Sequence, residues 1–77
     1  MDVRIGIAES PQVIELELEN DVDRDAIKSE VEASLAGKKK VLWLTDRKGK
    51  EIAIPSEQIG FVELGTSDAD RKIGFGA

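Results

Sequence analysis

Six cations crowd into residues 38–50: Lys38, Lys39 and Lys40 precede the apolar run Val41-Leu42-Trp43-Leu44-Thr45, and Arg47, Lys48 and Lys50 follow it. Their type and spacing could serve a ligand. Clustered cations beside an aromatic suit an anionic partner, either a nucleic acid stacking on Trp43 or an acidic protein surface. If the run is a strand, its rise of about 3.3 Å per residue separates the two clusters by roughly 15–20 Å, so they need not form one patch. A plainer role is also open to the lysines, which would follow a helix and complement the negative end of its dipole.

The remaining inventory is poor in chemistry. The chain has no cysteine and no histidine, which removes disulfides, thiolate nucleophiles, imidazole bases and the usual zinc sites. Asp46, Glu57 and Glu63 could move protons, but none has a partner at a signature spacing. Glu15, Glu17 and Glu19 share one side of an alternating segment. We expect them to form a solvated face that discourages edge pairing; the alternative is a surface for a metal or a cationic ligand. Neither G-x-x-x-x-G-K-[ST] nor G-x-G-x-x-G occurs, and Gly74-Phe75-Gly76 has no room for a following helix. The residues thus lead us to expect no catalytic group, no cofactor and no metal.

Charge is segregated along the chain. The net charge is −5, with residues 1–36 at −7, residues 37–50 at +5 and residues 51–77 at −3. An acidic average disfavours non-specific nucleic-acid binding everywhere outside the basic stretch. Seventy-seven residues make one small domain held by packing alone. We expect a single α+β domain over 1–77, with 66–77 as a loosely docked tail. The lack of cysteine suits a reducing compartment. Met1 to Ile7 alternates instead of forming the apolar run of an export signal, so the expected location is the cytoplasm.

The elements that must position these residues follow from periodicity. Val3, Ile5 and Ile7 mark a half-buried strand; Ser10-Pro11-Gln12 turns the chain; Ile14, Leu16 and Leu18 alternate with glutamates in a second strand. Asp21 or Asp23 starts a helix whose stripe is Ile27, Val31 and Leu35, and Gly37 ends it in a left-handed cap. Residues 41–45, apolar at consecutive positions, are expected to be a central strand covered on both faces, with Trp43 in the core. Asp46-Arg47-Lys48-Gly49 is a hairpin turn. Ile52 and Ile54 continue on the return strand to Pro55, Ser56-Glu57-Gln58 makes one short helical turn, and Ile59 to Leu64 is the last strand. The result is a strand-strand-helix-strand-strand-strand antiparallel meander with one helix packed on the sheet.

Leu44-Thr45-Asp46, Gly49, Ile54-Pro55, Ile59, Val62-Glu63-Leu64-Gly65 and the closing Arg71, Ile73-Gly74-Phe75-Gly76 resemble a small actinobacterial domain-of-unknown-function family. The opening Val3-Arg4-Ile5-Gly6-Ile7 and Ser10-Pro11 are similar as well. The resemblance spans the chain and implies a single-domain cytosolic bacterial protein. It carries no activity or binding residues over. Some relatives bear an ATP-binding label, which no phosphate loop here supports. A recurrent ending at Arg71, Ile73 and Phe75 would favour a docked final segment.

From residues and resemblance together we expect a non-enzymatic interaction or regulatory accessory domain that binds a protein partner or itself, away from membranes. The alternative is a small nucleic-acid-binding module using 38–50, and the third reading is a nucleotide-binding protein.

Overall fold

A computed structural model describes residues 1–65 of the chain. The expectations for a docked tail over 66–77 lie outside the described residues. The elements are β1 (Asp2–Ile7), β2 (Val13–Glu17), α1 (Arg24–Leu35), β3 (Val41–Thr45), β4 (Glu51–Pro55), a 3₁₀ turn at Ser56–Gln58, and β5 (Ile59–Leu64). Class and element order match the expectation. The five strands divide between two antiparallel sheets, one ordered β2-β1-β5 and the other the β3-β4 hairpin.

Local chemistry explains the element ends. Asp23 caps α1 by accepting from Asp25 N–H at 3.0 Å and Ala26 N–H at 3.2 Å. At the other end Gly37 takes φ +79°. Its N–H donates to Ser34 O at 3.1 Å, while Lys38 N–H reaches Ala33 O at 2.9 Å. This doubly bonded left-handed cap satisfies two of the last helix carbonyls and directs the chain into β3. Beyond Pro55 the hairpin ladder closes with Ser56 N–H donating to Lys40 O at 2.8 Å, and the 3₁₀ turn then swings the chain to the end of β1, where Ala8 N–H donates to Gln58 O at 2.8 Å.

The three-stranded sheet is matched on both faces. Inward, Val3 and Ile5 of β1 are fully buried, joined by Leu18, Val31, Leu42, Leu44, Ile54 and Ile59. Outward, Arg4 stands between two acids in register with it: its Nε lies 3.4 Å from Glu15 of β2, and its Nη1 lies 3.1 Å from Glu63 of β5. One residue pair further, Gly6 faces Phe61, and a Cβ on Gly6 would sit 2.0 Å from the Phe61 ring. The missing side chain lets the ring lie over the strand and keep part of its surface dry.

The helix stripe is Ile27, Val31 and Ser34, with Leu35 52% exposed. At 3.6 residues per turn, the position seven beyond Ile27 returns to the covered face and the position eight beyond it drifts off.

Candidate interaction surface

β3 overturns two expectations at once. It is an outer strand of a two-stranded hairpin, not a central strand, and its burial alternates. Leu42 and Leu44 face α1 and the core, while Trp43 leaves 62% of its surface in water. Trp43 is therefore not core. The cause lies in the topology: β5 leaves β4 to pair with β1, so among the described residues no third strand or second layer reaches the outer face of the hairpin. An apolar run at consecutive positions marks two-sided burial only when both sides are covered.

That outer face is a short apolar row. The register sets Val41 against Pro55, Trp43 against Ala53 and Thr45 against Glu51, and all six are exposed. Val41, Trp43, Ala53 and Pro55 are its apolar members, and Glu51 is its one acid.

The six predicted cations sit at its two ends. Lys38, Lys39 and Lys40 follow the Gly37 cap and lead into β3. Arg47, Lys48 and Lys50 belong to the hairpin tip, whose shape is fixed by Asp46. Asp46 Oδ1 accepts from both Lys48 N–H and Lys50 N–H at 2.9 Å, and Gly49 takes φ +88°. The predicted turn chemistry holds. The two clusters are kept apart by the length of β3 and form no single patch.

Two of the six cations are already answered. Lys39 pairs with Glu30 of α1, and Arg47 Nη1 lies 3.1 Å from Glu17 of β2. Lys38, Lys40, Lys48 and Lys50 have no carboxylate partner among the described residues. The glutamates of β2 are likewise divided, Glu15 to Arg4 and Glu17 to Arg47, with Glu19 beyond the strand end. Glu63 is held by Arg4, and Asp46 by the turn amides. Glu57 borders a cleft of about 490 Å³ together with Ser34, Leu35, Lys39, Lys40 and Pro55. This cleft opens at the Pro55 end of the apolar row.

The molecule so described is a small α+β domain with one acidic sheet face tied by arginines and one apolar hairpin face flanked by cations. The family model described as "Protein of unknown function (DUF3107)" matches residues 1–76, and the chain belongs to that family. No curated protein matches it. Among the described residues no helix is long and apolar enough to cross a membrane.

Proposed function

We propose that the protein is a non-enzymatic interaction or regulatory accessory domain of the cytoplasm, and that its partner is a protein docking on the outer face of the β3-β4 hairpin. The observation that carries this reading is Trp43, 62% exposed at the middle of an apolar row. Tryptophan is among the residues that most often anchor protein interfaces, and an exposed apolar patch rimmed by charge is their usual form. Cations at both ends of the row would steer an acidic partner and fix its orientation. The carboxylates that could have done chemistry are largely engaged with arginines or turn amides, which supports a binding role.

The exposure of Trp43 also favours a second reading, a single-stranded nucleic acid stacked on the ring with its phosphates near Lys40 and Lys48. Two features weigh against it. Trp43 is the one aromatic of that face, whereas such sites combine several stacking rings, and Lys39 and Arg47 are neutralised by carboxylates.

Affinity capture from extract of the native cell tests both readings. The protein-docking reading expects a nuclease-resistant partner that is retained by wild type and by Lys28→Ser and lost with Trp43→Ser. Capture that survives Trp43→Ser would refute it. Capture abolished by nuclease and by moderate salt would establish the nucleic-acid reading instead.

A further inference from the structure

Among the described residues no strand covers the outer edge of the β3 backbone, and hydrogen-bond parity identifies the residues that form it. At the two ends of the hairpin Ser56 N–H donates to Lys40 O and Asp46 N–H donates to Lys50 O, both at 2.8 Å. With the observed register, Leu42 and Ile54 form a bond-exchanging pair, as do Leu44 and Ile52. Val41, Trp43 and Thr45 therefore aim their N–H and C=O groups away from β4. Arg47, next in that series, shows where they aim, since its N–H donates outward to Glu17 O of β2 at 2.8 Å. Beyond that single bond the outward groups of Val41, Trp43 and Thr45 have no hydrogen-bond partner among the described residues. The same three residues carry the exposed side chains of β3. β4 offers no equal edge, because its outward residues include Pro55, which has no N–H.

We propose that this edge receives an extended segment of a partner protein with carboxylates near both ends, which adds beside β3 as a third strand of the hairpin sheet. The proposal rests on the reading that the hairpin is the docking element, and it specifies how docking occurs. Main-chain bonds to Val41, Trp43 and Thr45 supply the affinity, and Trp43 and Val41 cover the apolar side chains of the incoming strand. Charge selects the occupant. Lys38 and Lys40 stand before the strand and Lys48 and Lys50 after it, all without carboxylate partners among the described residues. A second copy of the chain fits this edge less well: antiparallel β3-β3 pairing centred on Trp43 would set Lys38 and Lys39 of one copy against Lys48 and Arg47 of the other, with one Lys40–Asp46 pair on each side to offset them.

The test uses the full chain and a synthetic peptide, Glu-Glu-Val-Thr-Val-Thr-Val-Glu-Glu, with a Lys-ended version and a version N-methylated at alternate central residues. Residue-resolved amide exchange in the free protein should show Val41, Trp43 and Thr45 exchanging at least about tenfold faster than Leu42 and Leu44. The Glu-ended peptide should slow those three amides. The Lys-ended and N-methylated peptides should each bind at least about tenfold more weakly. Thr45→Pro removes one edge donor that β4 does not use, so it should keep the native circular dichroism spectrum and weaken the Glu-ended peptide by about tenfold. Edge amides already protected in the free chain would overturn the proposal, because the edge would be occupied by residues 66–77 or by another copy. A Trp43 ring signal that moves with the peptide while the edge amides stay fast would end strand addition and leave face docking standing. No response at ring or amides up to about 1 mM peptide would remove both. A response to oligothymidylate alone would assign the surface to nucleic acid.

Discussion

Trp43 and Leu42 are neighbours in one strand, and their truncations should differ severalfold in cost. Trp43 keeps 62% of its surface in water, so of the up to about 250 Å² such a residue can bury, roughly 95 Å² is covered. An alanine at the same place would retain about half of that through its backbone and Cβ, leaving roughly 50 Å², or about 1.2 kcal/mol at about 25 cal/mol per Å². Leu42 is 1% exposed, and Leu42→Ala adds a cavity to the lost transfer energy, for about 2–5 kcal/mol. A domain of this size has no more than about 5 kcal/mol in total, so Leu42→Ala should remove about half of it or more, whereas Trp43→Ala should leave most of it in place. Urea unfolding followed by far-ultraviolet circular dichroism measures both without relying on the indole. A loss of about 3 kcal/mol or more for Trp43→Ala would refute the surface assignment and with it the docking face.

Other substitutions probe the parts that hold this face in place. Asp46→Ala removes the acceptor for two tip amides and should cost about 1–2 kcal/mol in urea unfolding. Gly37→Ala forces a side chain into positive φ at the helix end and should cost about 1–2 kcal/mol, although open space surrounds it. Gly6→Ala should displace the Phe61 ring into water, seen as loss of ring-current shifts on β1 together with about 1 kcal/mol of stability. Ser34 is 2% exposed and its Oγ has no hydrogen-bond partner among the described residues, so Ser34→Ala should raise stability by about 0.5 kcal/mol; a loss above about 1 kcal/mol would reveal a partner for that hydroxyl.

Features governed by neighbours in sequence were legible before the fold was known. The left-handed Gly37 and the tip built on Asp46 and Gly49 each depend on a side chain or a φ angle within a few residues, and the same local chemistry narrows the helix start to Asp21 or Asp23, of which Asp23 is the cap. The pairing of Arg4 with Glu15 and Glu63, and of Gly6 with Phe61, spans up to 59 residues and follows from strand order, which periodicity does not encode. The misplacement of Trp43 is more instructive, because a signal against it was present. The tip chemistry fixes the hairpin register, so the residues opposite Val41, Trp43 and Thr45 are Pro55, Ala53 and Glu51. The return strand alternates, with Ile52 and Ile54 toward the core and a small, a cyclic and a charged residue away from it. A face so composed on β4 offers no large apolar side chain for the domain's own core to cover. The outer face of β3 shares its fate, whatever the apolar run suggests.

What folding requires of that face is modest. Leu42, Leu44, Ile52 and Ile54 supply its anchor to the core, and threonine or valine would meet the strand preference at position 43 without exposing an indole. Elsewhere the protein treats exposed sheet surface differently. On the three-stranded sheet the exposed Val13 and Phe61 share their face with Glu15 and Glu17 of β2 and Glu63 of β5, and Arg4 knits two of these acids together, a charged dressing that discourages sheets from associating. The hairpin face carries one acid, Glu51, and four apolar side chains instead. Its cations stand at the ends of the strand, where they leave the row and the open edge of β3 unobstructed. A chain with sixteen acids among seventy-seven residues places none of them on β3, a distribution that would suit the proposed acidic partner.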